Sequence, residues 1–201
     1  MTIRLLAGLL VAVATLTCVP EAIKADTIAE EILTGGAPRG RFPGSLWGGG
    51  GGGYSPIRRT TVSYTGKEAP GTIIVNTSER RLYLVLGNGE ALRYGIGVGR
   101  VGFTWAGTTR VVSKKEWPDW TPPPQMLRRR PDLPRFMKGG PDNPLGARAM
   151  YLGSSLYRIH GSNEPETIGT AVSSGCFRLT NDDVIDLYGR VKIGAKVIVV
   201  R

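Results

Sequence analysis

The sequence predicts a mainly β domain over residues 70–201. From Pro70 onward, short runs rich in Val, Ile and Tyr alternate with turns that contain Gly, Pro or Asn. Only one segment, near the C-terminus, has apolar residues at helical spacing. A length of about 130 residues is enough to bury one hydrophobic core.

The N-terminus has the pattern of an export signal over residues 1–25. Arg4 gives a positive start, residues 5–17 form an uncharged apolar run, and Ala25 offers a small residue at a cleavage site. The apolar run is shorter than the about 20 residues that a spanning helix needs, and no later segment is apolar enough to cross a bilayer. We therefore expect an exported protein of the periplasm or cell envelope. Lipidation of Cys18 is the alternative, although a threonine precedes it.

Residues 26–69 are predicted to be a disordered Gly/Pro-rich tether. Six consecutive glycines, Gly48 to Gly53, bury too little surface to offset the backbone entropy they lose on ordering. A phosphate-binding P-loop would need a Gly-Lys-Ser/Thr ending and a following helix, and neither is present.

The predicted domain begins with a meander of three strands, at residues 71–77, 80–86 and 90–99. A polar turn separates the first two, and a Gly-Asn-Gly turn separates the last two. Residues 108–117 read as a further strand. These runs supply most of the predicted core.

The segment 117–150 is predicted to be an ordered, proline-rich lid loop. It holds eight of the 14 prolines, which disfavours a regular strand or a long helix over most of its length. Long loops in compact domains are usually functional lids or disordered. Four aromatic residues in or beside it favour the ordered lid: Trp117, Trp120, Phe136 and Tyr151.

The C-terminal part is predicted as strand, helix and strand. Residues 150–161 read as a single strand with His160 at its end. Thr180 is the expected N-cap of a helix, with Asp183 three residues later, near the helix N-terminus. Residues 194–201 read as a buried closing strand.

The formal net charge of +10 raises the question of a nucleic-acid partner. The positive charges are dispersed apart from Arg128 to Arg130, and no nucleic-acid-binding motif is present. We therefore expect no nucleic-acid partner. The basic surface either faces an acidic envelope polymer or anionic lipid, or only keeps the protein soluble.

Cys176 and His160 are the residues with the clearest chemical potential. After signal removal Cys176 is the only cysteine, which excludes a disulfide framework, and His160 is the only histidine. One thiol and one imidazole are the minimum for thiol acyl transfer. Two ligands do not complete a zinc site, so neither metal nor cofactor is expected. Both residues also fit a purely structural role.

The residues around this pair resemble the L,D-transpeptidase catalytic (YkuD-type) domain. The resemblance rests on a His-Gly pair, a spacer of about fifteen residues, and then Ser, any residue, Gly, Cys, an apolar residue and Arg, which the segment 160–191 contains. It extends back to about Gly71 and implies a β-sandwich or barrel-like domain with one or two short helices and the lid loop.

The resemblance also implies a reaction on peptidoglycan stem peptides. The cysteine attacks the carbonyl at stem position three and expels the terminal D-alanine. The thioester then passes to an amine of a neighbouring stem, giving a 3→3 cross-link, or to an envelope-protein lysine, a free D-amino acid or water. The alternatives are therefore an L,D-carboxypeptidase or endopeptidase and an inactive peptidoglycan-binding module.

By position, the resemblance assigns Cys176 as nucleophile and His160 as general base. The Gly161 carbonyl would orient the imidazole, and the amides of Gly175 and Cys176 would form the oxyanion hole. Arg178 would hold a substrate carboxylate or, alternatively, form a salt bridge with Asp182 or Asp183.

Two positions depart from the family pattern. Ser174 stands where many members have a second histidine, so no second base is available, and we place it among the substrate-binding candidates. Trp105 stands where many members have proline, so the loop bordering the substrate groove is expected to differ in shape.

Overall fold

The computed structural model describes residues 55–201. The predicted signal, Cys18 and the glycine run lie outside the described residues. No helix within the described range is long and apolar enough to cross a membrane.

The predicted mainly β class with one or two short helices is confirmed for residues 55–201. Nine strands form one sheet in the order β1-β4-β3-β2-β11-β6-β7-β8-β10, and β5 and β9 form a small second sheet. The strands are β1 (Thr60–Ser63), β2 (Ile73–Asn76), β3 (Arg81–Gly87), β4 (Glu90–Gly95), β5 (Val98–Gly99), β6 (Gly107–Glu116), β7 (Arg148–Leu152), β8 (Arg158–His160), β9 (Ala171–Ser173), β10 (Phe177–Arg178) and β11 (Lys196–Val200). The helices are α1 (Pro124–Arg129) and α2 (Asn181–Arg190), with a 3₁₀ turn at Pro165–Thr167.

The predicted meander is present as β2, β3 and β4. Each strand pairs antiparallel with the next along the chain. Asn88 and Gly89 both have positive φ, 53° and 75°, as the two-residue turn of a tight hairpin requires. The predicted third strand, 90–99, divides into β4 and β5, which belong to different sheets.

The last fifteen residues of the predicted tether, 55–69, include structure that joins the domain. β1 pairs antiparallel with β4 and forms an edge of the large sheet. Ile57 packs so closely on Gly95 that a Cβ there would lie 2.6 Å from the Ile57 Cβ. Arg59 forms ion pairs with Asp183 and Asp186 of α2. The prediction of disorder is therefore wrong for this stretch, which carries few apolar residues and depends on contacts distant in sequence.

The C-terminal helix and strand are confirmed. The Thr180 hydroxyl accepts a hydrogen bond from the Asp183 N–H at 3.3 Å, which is the predicted N-cap. Val184 and Leu187 of α2 are fully buried. β11 lies inside the sheet, parallel to β2 and antiparallel to β6, where its apolar residues complete the core.

Residues 150–161, predicted as one strand, form an antiparallel hairpin instead. β7 ends at Leu152, the chain turns, and β8 begins at Arg158, with Ala149 opposite His160. Gly153 has φ of 54°, which is the left-handed conformation that permits the turn. The hairpin places His160 at the end of a strand inside the sheet.

The proline-rich segment is ordered without a long helix or strand, as predicted. The backbones of Trp120 and Met137 exchange two hydrogen bonds of 2.8 Å, which close the loop on itself. Asp119 accepts from the Gly139 N–H at 2.8 Å. A Cβ on Gly139 would lie 1.8 Å from the Trp117 carbonyl oxygen, so this approach requires glycine.

Candidate active site

Two short parallel strands bring together the segments that carry the predicted nucleophile and base. β10 pairs with β8, with Phe177 opposite Ile159 and Arg178 opposite His160. Side chains of paired residues in parallel strands share a face, so Arg178 lies on the same face as His160, and Cys176 immediately precedes β10. Phe177 and Ile159 point the other way and are fully buried in the core.

His160 is held as a neutral imidazole. Its side chain is buried, and Nδ1 lies 2.6 Å from the Gly161 carbonyl oxygen. A carbonyl only accepts hydrogen bonds, so Nδ1 carries the proton and Nε2 keeps its lone pair. Burial lowers the pKa of His160 to about 3, the charge of Arg178 contributes in the same direction, and the bond to Gly161 opposes them. The imidazole is thus uncharged at neutral pH.

Gly161 fits the site because its backbone is tightly enclosed. A Cβ there would lie 2.4 Å from the Asn181 Oδ1, which itself accepts a hydrogen bond from the Ala147 N–H. The Gly161 N–H donates to the Arg148 carbonyl at 3.0 Å. These contacts fix the backbone of Gly161, including the carbonyl that accepts the hydrogen bond from His160 Nδ1.

The Cys176 thiol is half-buried and donates to the Leu156 carbonyl at 3.8 Å. Burial raises the pKa of the thiol, and the charges of Arg158 and Arg178 oppose this effect. Within residues 55–201 no hydrogen bond joins Cys176 to His160. In this conformation the thiol is directed at the Leu156 carbonyl and not at the imidazole.

Ser173 shapes the turn of residues 173–176 that carries the predicted nucleophile, here called the nucleophile turn, and sequence reasoning missed it. Its hydroxyl donates to the Cys176 carbonyl at 2.6 Å and accepts from the Gly175 N–H at 3.1 Å. The predicted oxyanion role of the Gly175 amide therefore needs correction, because that N–H already has a partner. A serine three residues before the nucleophile is a signal for such a local bond.

Gly175 occupies a position that only glycine fits. Its φ is 107°, and a Cβ would lie 2.5 Å from the Tyr157 ring. Its carbonyl accepts a hydrogen bond from the Trp105 indole at 3.1 Å. Trp105 also stacks on Tyr157, with centroids 4.8 Å apart and planes 12° from parallel. The tryptophan that departs from the family pattern is thus attached to the nucleophile turn.

Backbone hydrogen bonds from Gly97 and Arg100 also support this turn. Gly97 exchanges two hydrogen bonds of 2.9 Å with Arg178, and the Arg100 N–H donates to the Ser173 carbonyl at 3.0 Å. These contacts hold the chain on both sides of Cys176. They come from the Gly-rich end of the predicted third strand, whose glycines permit close approach.

Arg178 pairs with a carboxylate that sequence reasoning did not identify. Its guanidinium lies 3.0 Å from the Glu164 carboxylate, not from Asp182 or Asp183. Arg158, also missed, lies on the same face as His160. Ser174 is half-buried in the nucleophile turn. The pairing with Glu164 depends on the loop between β8 and β9, which the sequence alone does not place.

Comparison with known proteins gives a consistent assignment. The family model described as "L,D-transpeptidase catalytic domain" (YkuD) matches residues 70–199. A protein of Escherichia coli named "Probable L,D-transpeptidase ErfK/SrfK" is 42% identical over 134 residues, which is 62% of this chain and 42% of that protein. This chain thus spans less than half of the length of that relative.

Solved structures share the fold. An L,D-transpeptidase from Mycobacterium smegmatis has a TM-score of 0.53 at 17% identity, covering 65% of this chain and 58% of that one. A Brucella melitensis protein named a probable carnitine operon oxidoreductase is 44% identical, with a TM-score of 0.50 over 73% of this chain and 96% of that one. That name describes another activity, so this match supports similarity of sequence and fold alone. The family model spans well over half of the chain, and the chain therefore belongs to the L,D-transpeptidase catalytic domain family.

Proposed function

We propose that this chain is a peptidoglycan L,D-transpeptidase that transfers an acyl group from a tetrapeptide stem to an amine. The proposal is supported by the pairing of β8, which ends at His160, with β10, which Cys176 immediately precedes, within the residues that the family model matches. The names of its relatives describe this activity.

In the proposed acylation, His160 Nε2 removes the thiol proton and the Cys176 sulfur attacks the carbonyl at stem position three. The new C–S bond replaces the C–N bond to D-alanine, and His160 returns the proton to the leaving amine. The Cys176 amide donates to the developing oxyanion. Because the resting thiol donates to Leu156, the side chain turns toward His160 before this step.

In the proposed second step, an acceptor amine attacks the thioester, forming an amide and restoring the thiol. A stem amine gives the 3→3 cross-link, and an envelope-protein lysine gives an attached protein. Water as acceptor gives the L,D-carboxypeptidase or endopeptidase reaction. The same acyl-enzyme precedes all three products.

The surrounding residues take supporting roles in this proposal. Gly161 orients the imidazole through its carbonyl. Arg178, already paired with Glu164, acts chiefly by keeping His160 neutral. Ser174 is assigned as a substrate contact because it is half-buried beside the nucleophile.

We also propose that the protein acts in the periplasm or cell envelope. The support is the signal-like pattern of residues 1–25 and the location of the proposed substrate outside the cytoplasm.

The proposal is tested by mass spectrometry of products from tetrapeptide-stem muropeptides. The wild type should release D-alanine and form 3→3 dimers, while Cys176→Ala should form none. Tripeptide without dimers would instead identify the hydrolase. Binding of stems without any product from the wild type would identify an inactive binding module. Dimers made by Cys176→Ala would contradict the assignment of the nucleophile.

A further inference from the structure

Two arginines from distant parts of the chain lie on one aromatic ring. The Arg100 guanidinium carbon is 4.5 Å from the centroid of the Phe103 ring, and that of Arg129 is 5.4 Å from it. Arg100 follows β5, and Arg129 ends α1 in the proline-rich segment. We call Arg100 and Arg129 the arginine pair.

The arginine pair has no counter-charge among the described residues. None of the ion pairs within residues 55–201 includes Arg100 or Arg129. Burial lowers the pKa of Arg100, and the charged group that adds to this effect is Arg129 itself. Two like charges held near each other are unfavourable, and a bound anion would offset that repulsion.

The arginine pair lies next to the turn that carries the nucleophile. The Arg100 N–H donates to the Ser173 carbonyl, and the Phe103 N–H donates to the Arg100 carbonyl at 2.9 Å. The Phe103 carbonyl oxygen approaches Gly175 so closely that a Cβ there would lie 3.0 Å away. The backbones of Arg100 and Phe103 therefore contact the residues on either side of Ser174.

The short helix α1 contributes a charge, not core packing. It has no buried side chain, and its last turn carries Arg128 and Arg129. Its start is fixed by three consecutive prolines, residues 122–124, which limit its backbone freedom. The contact of Arg129 with Phe103 thus connects the proline-rich segment to the candidate active site.

We propose that Arg100 and Arg129 form a carboxylate-binding subsite for an acidic stem peptide, beside Cys176. Guanidinium groups match carboxylates with two parallel hydrogen bonds. Arg178, the residue predicted for this role, is paired with Glu164, whereas the arginine pair has no acidic partner in the part of the chain that the structure describes. This inference rests on the proposed function, and the carboxylate belongs to either the donor or the acceptor stem.

The first test is kinetic and compares Arg100→Gln/Arg129→Gln with Arg128→Gln, a neighbouring arginine of α1. In each arm of the test, one stem is saturating and the concentration of the other is varied. The KM for the carboxylate-bearing stem should be about tenfold or more higher in the double variant than in the wild type, with kcat changed little. The arm in which KM rises identifies the donor or the acceptor. Arg129→Gln alone, on an exposed helix, should raise KM several-fold. Unchanged KM in both arms would overturn the proposal.

The second test measures binding without turnover, by calorimetry on Cys176→Ala protein. A tetrapeptide stem with a free carboxylate should bind more tightly than its carboxamide analogue, and the double variant should remove that preference. Equal binding of the two peptides to the parent protein would overturn the proposal. If only the proposed function is wrong, the wild type will show no turnover, but the preference for the free carboxylate over the carboxamide will remain.

Discussion

The ionisation states of Cys176 and His160 describe a resting site with no charge on either group. The pKa of the thiol is raised by burial, and that of the imidazole is lowered to about 3. A neutral pair is the resting form because burial penalises both charged forms. In the proposed reaction, substrate binding then has to favour proton transfer from Cys176 to His160. Rotation of the thiol toward His160 and the hydrogen bond from the Cys176 amide to the oxyanion contribute to this.

This state predicts the pH dependence of thiol reactivity. Only the thiolate reacts with iodoacetamide, so the alkylation rate of Cys176 should keep rising from about pH 6 to about pH 9 and should level off at a higher pH than that of a small reference thiol, because burial raises the pKa of Cys176. Rates would be followed by mass spectrometry of the intact protein. A plateau below about pH 7 would show a thiolate–imidazolium pair and contradict the account.

At the same scale, the sequence indicated Cys176 and His160 as candidate reactive residues but did not indicate their neighbours. His160 stood out because it is the only histidine in the sequence, and Cys176 because it is the only cysteine outside the predicted signal. Glu164 and Arg158 did not, since common charged residues acquire a role only through contacts that the fold creates. Leu156 enters through its backbone carbonyl, which no side-chain pattern reveals.

At the scale of elements, the nucleophile turn depends on one hydroxyl. Ser173→Ala removes the donor to the Cys176 carbonyl and leaves the Gly175 N–H without its acceptor. Because Ser173 is buried, the free energy of unfolding should fall by about 1–3 kcal/mol. Urea unfolding measures this, with the half-buried neighbour Ser174→Ala as control. Equal, small losses in both variants would contradict the role of Ser173.

Strand identity was predictable, whereas strand pairing was not. Alternating apolar residues indicated β2, β3 and β6 from the sequence, and the capping pattern at Thr180 indicated α2. The hairpin between β7 and β8 was missed although Gly153, Ser154 and Ser155 form a turn signal. The parallel pairing of β8 with β10 brings segments sixteen residues apart together, and tertiary contacts decide it.

At the scale of the whole molecule, residues 55–69 belong to the domain. Arg59 is the structural link, because its guanidinium lies 3.4 Å from Asp183 and 3.2 Å from Asp186. The Asp183 carboxylate is buried, and its second oxygen has no hydrogen-bond partner within the described range. Burial raises the pKa of Asp183, and Arg59 opposes that shift.

Arg59→Ala should therefore destabilise the protein more than a nearby substitution. The substitution removes the positive charge that compensates the buried Asp183 carboxylate. The free energy of unfolding should fall by about 1–2 kcal/mol, after allowance for the partial exposure of Arg59. Urea unfolding at neutral pH compares it with Arg58→Ala, whose side chain is exposed. If the two variants unfold alike, residues 55–69 contribute less to the domain than the contacts indicate.

The central claim is that the Cys176 sulfur carries the acyl group during turnover. Intact-protein mass spectrometry tests it directly, with a tetrapeptide-stem donor supplied and the acceptor amine omitted. The wild type should gain the mass of the stem less D-alanine, located on Cys176 by peptide mapping, while His160→Ala should gain it several orders of magnitude more slowly. Release of D-alanine with no adduct at any time, or an adduct on another residue, would contradict the account.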